Sequence, residues 1–92
     1  MQEVYGIAAY RSRQQVLMLE AALKRDGISV SVITTPREVA LGCGLSVRFR
    51  LEDLDRVERT IKAQRPANLI GVYRVERTGG GRAKLTPIAI YR

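Results

Sequence analysis

The sequence predicts a small α+β domain in which β-strands are interrupted by two amphipathic helices. Three observations support this fold class. The chain has 92 residues, which is enough for one compact domain and too short for two. Two stretches carry apolar residues at helical spacing. In the segments around them, apolar and β-branched residues either occur in short runs or alternate with polar residues, as they do in strands. We expect a folded domain over 1–76, followed over 77–92 by a basic, glycine-rich turn and a fifth edge strand.

The first half of the chain predicts a strand, a helix and a second strand. Residues 4–10 are apolar and rich in residues that favour a central strand. Ser12 and Gln15 match an S-x-x-Q capping box, which marks a helix start. The predicted buried stripe of that helix is Val16, Leu19 and Leu23. Gly27 is suited to the C-terminal cap of this helix. In residues 28–33 apolar side chains then alternate with serine, as in a half-buried strand.

The second half repeats this pattern. Residues 45–51 alternate apolar and polar side chains, which is the clearest strand signal in the chain. A helix follows, opened by acidic residues that suit its positive end: Glu52, Asp53 and Asp55. Residues 69–75 predict a fourth strand. Residues 85–91 predict a fifth, which Pro87 would confine to a sheet edge.

The predicted order is strand, helix, strand, strand, helix, strand, which is the split-βαβ, ferredoxin-like arrangement, with a C-terminal hairpin arm added. In this sandwich both helices cover one face of an antiparallel sheet. The other face is expected to be open to water or to a partner. Because the two middle strands are neighbours in this topology, the segment 34–44 becomes their exposed connection.

The composition excludes several classes of site. The chain contains no histidine and one cysteine, Cys43. A Ser-His-Asp triad, a Cys-His pair and an internal disulfide are therefore excluded, and no zinc ligands cluster, so neither a metal nor a cofactor is expected. No apolar run reaches the roughly 18 residues that span a membrane, and the N-terminus does not resemble a signal peptide. These patterns predict a cytoplasmic protein without membrane contact.

The net charge is +7, and it is uneven along the chain. Residues 74–92 hold five basic residues and one acidic residue, and so contribute +4. A basic segment can bind phosphate groups or an acidic partner, or can serve only as a solvated surface. Both interpretations stay open.

Cys43 is the best candidate for chemistry. The glycines on either side, Gly42 and Gly44, leave its sulfur with little steric cover and allow backbone N–H groups to turn inward around an anion. A buried and inert cysteine in a tight turn is the other interpretation.

Three further residues of the connection could modify the thiol. Arg37, if it folds back, would lower the pKa of Cys43 through its opposite charge. Pro36 would stiffen the approach, and Glu38 could instead pair with Arg37 and weaken the effect.

A family resemblance appears in this same connection. Its residues are Thr35-Pro36-Arg37-Glu38 and, after four more, Cys43-Gly44-Leu45-Ser46-Val47-Arg48-Phe49. In these residues, and more broadly over roughly 3–75, the chain resembles a small bacterial family of selenium/sulfur carrier-like proteins. It departs from the family pattern just before the cysteine, where Ala40-Leu41-Gly42 replaces small hydroxyl residues.

The resemblance implies that Cys43 carries sulfur or selenium as a persulfide or selenenylsulfide, and that Pro36, Arg37, Glu38 and Gly44 shape its site. It implies a carrier more than a complete enzyme, with a sulfurtransferase-like protein as donor or acceptor.

Two alternatives would leave the cysteine incidental. The ferredoxin-like sheet is also the frame on which RNA-binding domains stack bases. The residues that could line such a face are Tyr5, Tyr10, Tyr73, Tyr91, Arg48, Arg50 and Arg74. The other alternative is a module that forms a homodimer through its open face, its edge strands or the apolar residues of its arm: Leu85, Ile88 and Ile90.

Overall fold

A computed structural model describes residues 3–36, 39, 44–64, 68–78 and 83–89. Its elements follow the predicted order. They are β1 (Glu3–Tyr10), α1 (Arg13–Arg25), β2 (Val30–Thr34), β3 (Leu45–Phe49), a 3₁₀ turn (Leu51–Asp53), α2 (Leu54–Ala63), β4 (Leu69–Arg77) and β5 (Lys84–Ala89).

The strands form one sheet in the order β2-β3-β1-β4-β5, and every neighbouring pair is antiparallel. β3 lies between β1 and β2, and β1 lies between β3 and β4. Each strand–helix–strand unit is therefore split by a strand of the other unit, as predicted. The α+β fold class is confirmed, and β5 adds the predicted hairpin to the edge at β4.

The ends of α1 show why this helix forms where it does. The Ser12 hydroxyl accepts a hydrogen bond from the Gln15 N–H at 3.4 Å, which confirms the N-cap. The reciprocal half of the predicted capping box is wrong, because the Gln15 side chain instead accepts from the Asn68 N–H, just before β4. At the other end, Gly27 has a φ of 80°, and its N–H donates to the Lys24 carbonyl, as a glycine cap requires.

Both helices pack on one face of the sheet. The predicted stripe of α1 is fully buried there, together with Val57 and Ile61 of α2. The sheet contributes alternate residues of β1 and β3 to this core, and two residues of β4 on either side of a shift in its register with β1: Ala8, Tyr10, Val47, Phe49, Leu69 and Val72.

The second face of the sheet is not open at its centre, so that expectation is wrong. Tyr5, Ile7 and Val75 form a second buried cluster, and Val39 of the β2–β3 connection packs against it. β1 lies in the middle of the sheet, and its long apolar run supplies buried side chains to both faces. Val39, a described residue of the β2–β3 connection, therefore lies on this face.

Candidate functional site

The structure describes Pro36 and Gly44 among the predicted site residues. The other predicted site residues lie outside the described residues: Arg37, Glu38, Gly42 and Cys43. The geometry given below is therefore that of the described residues on either side of the cysteine: the end of β2 with Thr35, Pro36 and Val39, and Gly44 with the start of β3.

The base of the β2–β3 connection is closed by backbone pairing. Thr34 and Leu45 are partners at the ends of the two strands. One step further, the Thr35 N–H donates to the Gly44 carbonyl at 2.9 Å. Gly44, the residue bonded directly to Cys43, is thus held in the ladder.

A pair of buried hydroxyl groups lies at the same place. Thr35 Oγ1 and Ser46 Oγ are 2.7 Å apart, and the two residues are 4% and 0% exposed. Thr35 stands opposite Gly44 in the ladder, so Ser46 is its diagonal neighbour on the second face. A Cβ at Gly44 would lie 3.1 Å from Thr35 Oγ1, so little space remains beside this pair.

Sequence reasoning missed a role for Thr35 and Ser46. Both belong to the motif that carries the family resemblance, which was the available signal. The contact itself depends on strand register, because the two residues are eleven positions apart in the chain.

Replacement of Ser46 by alanine is expected to lower the free energy of unfolding by about 1–3 kcal/mol, because it leaves the buried Thr35 hydroxyl without its partner. Urea denaturation measures this loss. The matched control is Ser31→Ala, the same change at an exposed position of β2, which should be nearly neutral. The double variant Thr35→Val/Ser46→Ala should recover part of the loss. Equal effects of S46A and S31A would contradict a structural role for the pair.

The connection turns back immediately after β2. The Val39 N–H donates to the Pro36 carbonyl at 3.0 Å, Pro36 is buried, and Val39 is half-buried against the second cluster. At its described residues the connection is therefore packed on the sheet, rather than exposed as predicted.

A family model described as "Putative Se/S carrier protein-like" matches residues 5–73. The chain belongs to this family. The match begins in β1 and ends in β4, so it spans the whole β2–β3 connection and leaves β5 outside. No curated protein and no solved structure matches the chain.

In this member of the carrier-like family, the tyrosines proposed for base stacking do not share a face. Tyr10 is 2% exposed and belongs to the core under the helices. Tyr5 is 4% exposed on the opposite face, where Tyr73 is half-buried. Tyr91 lies outside the described residues. Stacking needs accessible ring faces, which Tyr5 and Tyr10 do not offer.

The arginines of that alternative also have partners. The Arg48 guanidinium lies 3.9 Å from the centroid of the Tyr5 ring, in a cation–π contact. Arg50 Nε is 3.5 Å from Glu52 Oε1, and Arg74 pairs with Glu76. Each of the three arginines therefore already has a partner among the described residues.

Within the described ranges, no group of three or more acidic or cysteine side chains is placed to hold a metal ion. In the same part of the chain, no helix has the length and apolar character needed to cross a bilayer.

Proposed function

We propose that this protein carries sulfur or selenium on Cys43, as a persulfide or selenenylsulfide, between partner proteins. The observation that carries the proposal is the family match, which spans the connection containing the chain's one cysteine. The pairing of Gly44 with Thr35 supports it, because the residue that follows the cysteine is held in the sheet.

Loading would be a thiol exchange. The Cys43 thiolate attacks the outer sulfur of a persulfide on a sulfurtransferase-like donor. A bond between Cys43 Sγ and that sulfur forms as the donor's S–S bond breaks, and the donor leaves as a thiolate. The sulfur moves with no net oxidation or reduction, so this step consumes no oxidant or cofactor. Attack on a selenium atom held by the donor's sulfur would give the selenenylsulfide in the same way.

The chain would contribute stabilisation of the anionic sulfur and leave proton transfer to its partners. Arg37 supplies a positive charge six residues before the cysteine, and the glycines at 42 and 44 supply backbone N–H groups. The chain has no histidine to act as a general base near pH 7. The proposal is therefore a carrier and not a complete sulfurtransferase.

The direct test is loading of the full chain with a small-molecule persulfide donor, followed by intact-mass spectrometry. We expect a mass increase of one sulfur atom that a reductant removes and that Cys43→Ser abolishes. Alkylation rates measured against pH should give a thiol pKa below the ordinary value of about 8.5. No adduct, together with a pKa at or above that value, would contradict the proposal.

A further inference from the structure

The two helices run in opposite directions, and two side-chain hydrogen bonds join them. Gln64 Nε2 donates to the Met18 carbonyl at 3.3 Å, and the Arg56 guanidinium donates to the Asp26 carbonyl at 3.2 Å. Met18 and Asp26 are separated by about two turns of α1, so the two bonds lie roughly 12 Å apart along the helix axis. They hold α1 and α2 side by side over that length.

An open groove lies between α1 and α2. Its volume is about 340 Å³, and its lining includes Ala22, Arg25 and Asp26 on the α1 side and Arg59, Ala63 and Gln64 on the α2 side. Asp26 and Gln64 take part in the two hydrogen bonds, so the groove belongs to the same stretch of the helix pair. The alanine side chains end at Cβ, which leaves the space between the helices unfilled.

The cations of this groove lack carboxylate partners. Among the described residues, neither Arg25 nor Arg59 forms an ion pair, and Asp55, one turn before Arg59, forms none either. Arg56 donates to a neutral carbonyl, so its charge is not compensated. With the Asp26 carboxylate, these three guanidinium groups leave a net charge of +2 at the groove. Such guanidinium groups bind carboxylates well, because two N–H groups match two oxygens.

An exposed apolar side chain adjoins the basic groove. Met18 is 52% exposed, and together with Gln64 it lines a small recess beside the groove. A methionine side chain adapts its shape to apolar partners. A free phosphate or a nucleic-acid backbone would use the arginines alone and leave Met18 uncovered. A protein segment with apolar and acidic side chains on one face would use both features.

We infer that the groove between α1 and α2 docks an amphipathic, acidic helix of a partner protein, which places an apolar side chain on Met18 and carboxylates against Arg25 and Arg59. A groove that runs along two helices accepts a third helix along its length, and roughly 12 Å corresponds to about two turns of it. A second copy of this chain fits less well, because each copy carries a net charge of +7. That the partner is the donor or acceptor of the cargo rests on the proposed function, whereas the docking does not.

A capped synthetic peptide rich in alanine and glutamine is a suitable probe, with one leucine and two glutamates placed four residues apart on one helical face. We expect amide chemical-shift changes in the NMR spectrum of the full-length Cys43→Ser protein, centred on Met18, Ala22, Arg25 and Ala63. Use of C43S makes binding independent of the thiol. Absence of these changes, or changes centred on the strands, would overturn the inference.

Two control peptides separate the proposed face from charge alone. One has glutamine in place of both glutamates, and the other has the same composition with the leucine and the glutamates on different faces of the helix. We expect each to bind about tenfold more weakly, or not at all. Equal binding of all three peptides would contradict a groove that reads an amphipathic helix.

Matched protein variants give an independent test. Arg25→Gln and Arg59→Gln should each weaken binding of the glutamate peptide about three- to fivefold. Arg13→Gln removes the same charge from an exposed position at the start of α1, outside the groove, and should change binding less than twofold. Equal losses in R13Q and R25Q would show non-specific charge attraction and overturn the inference.

The assignment to a partner has its own check. Amide shifts at Met18 and Ala63 that depend on protein concentration without peptide would show self-association through the groove and overturn that assignment. The three arginine positions are exposed, so urea denaturation should give the wild-type stability for every variant.

The loading test on the wild-type chain is separate from this measurement. Absence of peptide binding with intact loading of Cys43 would reject the docking surface alone. Peptide binding without any loading would reject the carrier function alone.

Discussion

Replacement of Leu19 by alanine is expected to lower the free energy of unfolding by about 2–5 kcal/mol. Leu19 is 0% exposed and lies in the middle of the α1 stripe, between Val16 and Leu23, against the sheet. Truncation removes apolar contact area and leaves a cavity that the fixed strands cannot close. A domain of this size has a total stability of only about 5–15 kcal/mol, so the loss is a large fraction of it.

Urea denaturation followed by circular dichroism measures this change. The midpoint should fall with little change in the slope. The same helix provides a matched control in Leu17, which is 46% exposed. Leu17→Ala should change stability by less than about 0.5 kcal/mol, because it removes little buried area and alanine favours helix. Similar losses at the two positions would contradict the predicted orientation of α1.

Replacement of Gly6 by alanine is the second large expected effect. Gly6 and Phe49 are direct partners across β1 and β3, and the Phe49 ring covers the glycine. A Cβ at Gly6 would lie 2.4 Å from Phe49 Cε2 and 2.5 Å from Cζ, closer than two carbon atoms can approach. The ring is 1% exposed and is packed in the core, so it has little room to shift. We expect a loss of about 1–3 kcal/mol.

Gly71 provides the comparison for this effect. A Cβ there would meet the Tyr73 hydroxyl at 3.0 Å and its ring at 3.1 Å, and that ring is only half-buried. Gly71→Ala should therefore cost less than Gly6→Ala in the same urea measurement. A smaller side chain at position 49 should reduce the cost of Gly6→Ala. The difference in unfolding free energy between F49L and Gly6→Ala/Phe49→Leu should therefore be smaller than the difference between the wild type and Gly6→Ala. A stable G6A protein would contradict the close packing of Phe49 over β1.

Much of the fold could be predicted from local pattern. The spacing of Val16, Leu19 and Leu23 allows only one face of α1 to be buried, and Gly27 supplies the positive φ at its end. The alternation in β2 and β3 likewise predicted which side chains face the core. These features depend on neighbours a few residues apart, so sequence alone contains them.

The course of the β2–β3 connection could not be predicted in this way. A run of glycine, proline and polar residues suggests an exposed loop, yet Thr35 and Pro36 are buried. Thr35 shares a hydrogen bond with Ser46, and Val39 packs against the second apolar cluster, which residues from β1 and β4 build at distant positions of the chain. Gln15 shows the same limit, since its side chain bonds to Asn68 and not to its own helix start.

The sequence by itself determined the α+β class, the order of the elements, the family resemblance and the choice of Cys43 as the residue to test. Local periodicity and a short motif are enough for those conclusions. Only the tertiary structure decided that the second sheet face is buried at its centre, and that Thr35 and Ser46 share a hydrogen bond at the base of the β2–β3 connection. Each of these depends on which distant strands become neighbours and in what register, and register is set by the packing of the whole sheet.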